Sequence, residues 1–395
     1  MARIAKVELS NYKSLQNVEL ELNRLNILLG RNGSGKSNLL SLFRLLRDGA
    51  DGHLVSNIAE QGGLSEIRWR GSSERDVIRW ELIFEDLEQA TQRTIYYSGA
   101  LAARGNSFTV KSEELSQDPY PGYSERYKYL SASDGRIRIL KSKVGDEEQD
   151  IDYTYNDQEL IVSQIREPRR YPLLDELRRL LSDWIIFRGF GENALQNIYK
   201  AQSLSVSYPL RLDPQGKNLV SVIMSLNESR YRNIRNSLYE ILESAFPDFK
   251  QLDLSLVASN AIELRWESKD FPGLAFPAHS MSDGMLRFMG LATLLLLPEP
   301  PSLIIIDEPE IGLHPGLIPL LAGLLKQASE HTQVIVTTHS PLLLNSEDIE
   351  VSDVILVERQ DGRTILERAD TRANLDRWLE HYTLGQLWTM GKLGG

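Results

Sequence analysis

Apolar and polar residues alternate from the start of the chain. Val7 and Leu9, then Val18, Leu20 and Leu22, keep the two-residue spacing of half-buried strands. Leu25-Asn26-Ile27-Leu28-Leu29 is a more continuous apolar run, and after a glycine-rich interruption Leu39, Leu40, Leu42, Phe43, Leu45 and Leu46 recur at helical spacing. From about 64 to 165 the strand pattern returns. Ile67-Arg68-Trp69-Arg70, Val77 to Phe84, Thr94-Ile95-Tyr96-Tyr97 and Arg136 to Leu140 are predicted strands, parted by Gly, Asp and Ser turns. Between about 172 and 246 three amphipathic helical faces follow: Leu173, Leu174, Leu177, Leu180, Leu181 and Trp184; Leu219, Val222, Ile223 and Leu226; and Ile234, Leu238, Ile241 and Leu242, the last starting near Ser229. A final α/β block begins near 250. Its runs Leu303 to Ile306, Val334 to Val336 and Val354 to Val357 are uniformly apolar, as strands buried on both faces of a parallel sheet are.

This order predicts an α/β protein in three stretches: 1–165, 166–249 and 250–395. The two α/β ends are expected to pack into one sheet, with a β-then-helical middle projecting from it. A length of 395 residues allows two or three domains, or one large domain with insertions. The net charge of −11 argues against a general polyanion binder and leaves a local basic patch open. With no cysteine, disulfides, thiolate zinc sites and a thiol nucleophile are excluded. The opening residues enter a strand pattern at once, and apolar runs such as Leu291 to Leu297 are too short to span a bilayer. A cytoplasmic protein with no membrane anchor is expected.

The glycine-rich interruption carries the strongest chemistry. Gly30-Arg31-Asn32-Gly33-Ser34-Gly35-Lys36-Ser37 fits G-x-x-x-x-G-K-[ST], with an apolar strand running in and a helix running out. Glycines let successive backbone N–H groups turn inward around phosphates, and the helix N-terminus adds its positive dipole end. Asn32, Gly33, Ser34, Gly35, Lys36, Ser37 and Asn38 are therefore candidate nucleotide-binding residues. Lys36 would reach the β- and γ-phosphates, and the Ser37 hydroxyl would bind Mg²⁺. A nucleoside triphosphate is the expected ligand.

Two further sites sit at ends of buried strands. Asp307 and Glu308 follow Leu303 to Ile306, where a carboxylate lies on the ligand edge of a parallel sheet. Asp307 is a candidate Mg²⁺ ligand and Glu308 a candidate base for the attacking water. His339 follows the next apolar strand and would contact the γ-phosphate or order that water. Ser282-Asp283-Gly284 precedes the apolar stretch Leu286 to Leu297; Ser282 is placed to cap that helix. The same cap, offered to a neighbouring subunit's nucleotide, is also a phosphate site.

Taken in order, the phosphate loop, Ser282-Asp283-Gly284, Asp307-Glu308, Glu310-Ile311-Gly312-Leu313-His314-Pro315 and His339 resemble the ABC-type ATPases. More narrowly, Leu9-Ser10-Asn11-Tyr12-Lys13-Ser14 together with Asn32 to Leu40 resembles the SMC/RecF-like group. Asp307 to Pro315 and the tail from Leu384 are similar to the AAA-family ATPases allied to the OLD ATPase domain. The resemblance implies a P-loop NTPase head of the ABC type, using ATP and Mg²⁺. It also implies a homodimer bridged by ATP, with Ser282 to Gly284 acting across it. The implied role is nucleic-acid-related, in anti-phage defence or genome maintenance, with a separately encoded effector for which a nuclease is one candidate. Met281-Ser282-Asp283-Gly284-Met285 departs from the fuller transporter signature, which disfavours a transporter's energising subunit. About 55 residues follow His339, too few for an appended Toprim nuclease.

An ATP-dependent switch or scaffold for a protein partner is the alternative reading. The family's Q-loop glutamine has no clear position: Gln61, Gln196 and Gln202 are candidates. Arg166, Arg169, Arg170, Arg178 and Arg179, with Arg230, Arg232 and Arg235, form basic clusters that meet either phosphate backbones or solvent. Trp69, Trp80, Trp184 and Trp266 are expected in the core, and the six scattered histidines offer no metal cluster.

Overall fold

A computed structural model describes residues 2–393 except 72, 74–75, 88–92, 134–135, 140–148, 151–154, 190–194, 196–197, 201, 204–209 and 259–260. It divides into two compact units, one built from Met1–Trp184 with Val354–Arg372, the other from Ile185–Asp353 with Ala373–Leu393.

In the first unit the hairpin Arg3–Tyr12 and Leu15–Glu21 opens an antiparallel sheet. The predicted β-rich segment extends it: Ile78–Glu85 pairs with Arg3–Tyr12, followed by Ile95–Arg104, Ser107–Gln117, Tyr127–Ser133, Arg136–Ile139 and Gln149–Asp150. Alternation puts Ile78, Trp80, Leu82 and Phe84 on its buried face. Beside this sheet, Leu25–Leu29 is buried at all five positions and pairs in parallel with Val354–Gln360. That strand turns back antiparallel into Arg363–Arg368. Lys36–Ala50 is the helix that leaves the phosphate loop, and Phe43 on its buried side meets Trp184 edge to face at 5.6 Å.

Two expectations change here. Ile67 to Arg70 is not a strand. Gly62 and Gly63 break the chain, Leu64–Ile67 forms one helical turn with both apolar ends buried, and only Arg68 bridges to Tyr12. Trp69 is half-buried, with the Arg363 guanidinium 5.4 Å from its ring centroid, whereas Trp80, Trp184 and Trp266 are core residues. Arg178 and Arg179 both pair with the buried Asp175, at 2.8 and 2.6 Å. One carboxylate offsets one of the two guanidinium charges, and the Arg179 side chain stays largely exposed.

The sheet also holds an acid that no sequence pattern flags. Glu113 is fully buried and accepts hydrogen bonds from the Ile161 and Val162 amides, at 2.5 and 3.0 Å, and from the Tyr97 hydroxyl at 3.0 Å. Burial outweighs these bonds and pushes its carboxyl up to about 7. The folded state therefore holds a proton that the unfolded chain has already released between the ordinary carboxylate range and neutrality, so this group's contribution to stability falls as pH rises through 7. Thermal melts should show a lower midpoint at pH 8 than at pH 6, and Glu113→Gln should flatten that difference. An unchanged pH slope in the variant would remove Glu113 as its source.

In the second unit three strands run in parallel: Ile185–Phe187, Leu303–Asp307 and Gln333–Thr338. Ile185–Phe187 lies in the stretch of about 172 to 246 expected to be helical, just after a helical face expected to reach Trp184. That helix instead stops at Ser182, because a three-residue apolar run carries no period that separates strand from helix. The helix Asp283–Leu295 is buried along most of its length, and Ile318–Ser329 joins the strand Leu303–Asp307 to Gln333–Thr338. The helix Arg232–Ala245 packs on the hairpin Phe249–Ala258 and Ala261–Ser268.

Candidate functional site

The phosphate loop lies in the first unit, between Leu25–Leu29 and Lys36–Ala50. Gly33 and Gly35 take φ of +78° and +114°, values that L side chains rarely adopt. A side chain is also excluded by close neighbours. A Cβ on Gly30 would come within 2.3 Å of the Val357 carbonyl oxygen, and one on Gly35 within 1.9 Å of Thr364 Oγ1. The buried Lys36 ammonium donates to the carbonyls of Gly30 at 2.5 Å and Arg31 at 3.2 Å, so it is held inside the loop's curl. The Ser34 hydroxyl is buried with no partner among the described residues. Asn32 and Ser37 are exposed at the loop's mouth. A backbone cradle, one fixed ammonium and two hydroxyls fit a polyphosphate.

A brace behind the loop escaped the sequence reading. Thr364 shares a hydrogen bond with the Ser14 hydroxyl at 2.6 Å and donates to the Ser34 carbonyl at 2.8 Å. Asn38 spends its amide on Ser14 at 2.7 Å, which makes it part of this brace. Nothing local marks Thr364, which lies 350 positions beyond Ser14.

The carboxylates lie in the second unit, where the buried strand Leu303–Asp307 ends. Parallel register sets Asp307 beside Thr337, and the Thr337 hydroxyl donates to Asp307 Oδ1 at 2.5 Å. The Glu308 amide donates to Thr337 Oγ1 at 2.9 Å and to its carbonyl at 3.1 Å. These bonds hold Glu308 at φ +49°, uncommon for a residue with a side chain, and strain of this kind clusters at working sites. Glu308 Oε1 lies 2.8 Å from His339 Nε2, so the two sequence-predicted residues meet. His339 is fixed in turn: its amide donates to Glu310 Oε1 at 3.0 Å, and its carbonyl accepts from Trp388 Nε1 at 3.2 Å. Glu310 also accepts from the Thr338 hydroxyl at 2.6 Å. Glu310, Thr337 and Trp388 are thus supports of the site that the sequence reading missed.

Ser282 caps the helix Asp283–Leu295, its hydroxyl accepting from the Met285 amide at 3.2 Å. Asp283 sits in the first turn and accepts from the Tyr199 hydroxyl. Gly284 packs against the loop after Glu308, since a Cβ there would lie 3.0 Å from the Gly312 carbonyl oxygen. Of the Q-loop candidates, Gln61 binds Asn57 at 2.6 Å at the end of the helix Leu54–Glu60, a structural position. Gln196 lies outside the described residues, and only the backbone of Gln202 is described. Among the described residues no cluster of His, Asp and Glu suggests a further metal site, and no helix is long and apolar enough to cross a membrane.

Solved structures similar to this chain include head domains of SMC proteins. An Smc head bound to the C-winged helix domain of ScpA is 16% identical, with 92% of this chain and 97% of that chain covered and a TM-score of 0.54. The Smc head with an extended coiled coil from Pyrococcus furiosus, bound to the C-terminal domain of ScpA, is 15% identical at 0.53, covering 96% and 100%. One from Pyrococcus yayanosii, with a coiled coil and joint, is 13% identical at 0.50, covering 93% and 97%. At these identities the likeness gives the fold: a P-loop NTPase of the ABC and SMC-head type. No curated protein matches the sequence. Over residues 25–345 the chain matches the family described as "AAA domain, putative AbiEii toxin, Type IV TA system", and it belongs to that ATPase family.

Proposed function

We propose that this chain binds ATP with Mg²⁺ and hydrolyses it, as a dimer closed over two nucleotides. One observation carries hydrolysis: Glu308, strained at the end of a buried strand, in hydrogen-bond contact with His339. The loop Asn32 to Asn38 supplies the phosphate cradle, and Lys36 turns from its carbonyl partners to the β- and γ-phosphates. Ser37 and Asp307 offer the hard oxygen donors that suit Mg²⁺, which neutralises phosphate charge when bound. Glu308 takes a proton from water as the water oxygen bonds to the γ-phosphorus. The bond to the bridging oxygen breaks and its electron pair leaves on ADP. His339 orients Glu308 and the water.

The family's association with a putative toxin of a type IV TA system supports a defence role coupled to a separate effector, with genome maintenance the second role the fold allows. Smc heads bound to ScpA domains support a head that docks a protein partner. Phosphate release, measured with and without DNA or RNA, tests the reading. Turnover that Lys36→Ala abolishes supports the ATPase. Stimulation by nucleic acid supports a nucleic-acid-coupled role, whereas slow turnover indifferent to both favours a switch for a protein partner.

Ser282 to Gly284 are proposed to serve the nucleotide of the second copy. Ser282→Arg should then leave nucleotide affinity intact and abolish turnover, and mixing it with Lys36→Ala protein should restore part of the activity through heterodimers with one intact composite site. Loss of ATP affinity in Ser282→Arg alone would make the residue a cis-acting or purely structural one.

A further inference from the structure

The unexpected strand Ile185–Phe187 brings a cation to the carboxylate edge. Its parallel register sets Phe187 beside Ile306, so Arg188 leaves the sheet level with Asp307. Arg188 and Arg287 line a cleft of about 150 Å³ together with Asp307 and Glu308, over an apolar floor of Phe187 and Leu291. Arg287 is aimed by its packing. Its stem lies against Gly312, where a Cβ would be 3.1 Å from Cδ and Nε, and its guanidinium reaches toward Gly189.

Two guanidinium groups beside two carboxylates normally pair with them. Here the carboxylates are engaged elsewhere, Asp307 by the Thr337 hydroxyl and Glu308 by His339. Among the described residues neither arginine forms an ion pair or a hydrogen bond. Both cations therefore face a cleft sized for a small anion, beside the group read above as the water-activating base.

Building on the ATPase reading, we propose that this cleft receives the γ-phosphoryl group of ATP during hydrolysis, with Arg188 as a catalytic residue touching its oxygens and Arg287 closing the opposite wall. As the bond to the bridging oxygen breaks, negative charge on the phosphoryl oxygens and ADP is offset by a guanidinium already in place. An arginine in such a position is worth about 10³-fold or more in kcat. Its interaction grows only in the transition state, so it adds little to ATP affinity.

The test uses the full chain carrying Arg188→Ala, Arg188→Lys or Arg287→Lys, the last keeping the stem that covers Gly312. Affinity for mant-ATP, and for mant-ADP with and without aluminium fluoride, is measured alongside kcat. Wild type should bind mant-ADP much more tightly with aluminium fluoride. Arg188→Ala should lose that tightening and about 10³-fold in kcat, keep mant-ATP affinity within about threefold, and regain part of its turnover with free guanidinium ion. Arg188→Lys should regain only part, a point charge lacking the planar fork. Fluoride tightening and kcat unchanged in Arg188→Ala would overturn the assignment while leaving the ATPase reading intact. Wild-type protein that binds mant-ATP but shows neither turnover nor tightening would overturn both.

Discussion

Glu308→Gln protein should bind ATP as tightly as wild type and fail to hydrolyse it, with kcat lower by about 10²- to 10⁴-fold, the range a positioned general base contributes. The amide keeps the side chain's size and an oxygen for His339, so the 2.8 Å contact and the Thr337 bonds to the Glu308 backbone survive. What it lacks is the ability to take a proton. If ATP bridges two heads, blocking the chemical step leaves the bridge in place, and light scattering with ATP and Mg²⁺ should report an accumulating dimer. Wild-type turnover in the variant would dismiss Glu308 as the base. Blocked hydrolysis with no change in mass would keep the base and dismiss the ATP-bridged dimer.

How much of this was legible in the sequence depended on the range over which each feature is encoded. The phosphate loop was visible because its strand, glycines, lysine and helix are contiguous, and the structure keeps that order from Leu25 to Ala50. Asp307, Glu308 and His339 were visible because each follows an apolar run long enough to read as a buried strand. The brace of Ser14, Asn38 and Thr364 was not, since it joins residues from both ends of the chain through side-chain hydroxyls that look ordinary alone. Arg188 was hidden for another reason. Its strand is three residues long and directly follows a strongly amphipathic helix, so periodicity carried the helix on through Trp184. Glu310 was seen only as part of a motif; its two bonds, to Thr338 and the His339 amide, exist only once neighbouring parallel strands are in register.

The brace makes a second large effect predictable, at Gly35. Gly35→Ala should lower ATP affinity by about 10²-fold or more, because it meets two penalties together. The first is conformational: φ of +114° strains any L side chain, at a cost of about 1–3 kcal/mol. The second is steric. The added Cβ would fall 1.9 Å from Thr364 Oγ1 and 2.9 Å from Ser14 Oγ, so Thr364 must move, and with it the bond that fixes the Ser34 carbonyl. Gly33→Ala is the matched control. Its φ of +78° carries a comparable strain, yet nothing lies within 4 Å of the added methyl. With no steric term added, its loss should stay near the lower end of that strain, at about tenfold, since about 1.4 kcal/mol corresponds to that factor. Removing the obstructing side chain with Thr364→Gly should then return part of the affinity lost in Gly35→Ala, because the closest contact disappears and only the strain and the 2.9 Å approach to Ser14 Oγ remain. Isothermal titration with ATP and Mg²⁺ on the two single variants and the double variant measures each share, with circular dichroism confirming that the chain stays folded. Equal losses at Gly33 and Gly35, with no recovery in the double variant, would mean that backbone conformation alone shapes the loop and that Thr364 does not hold it.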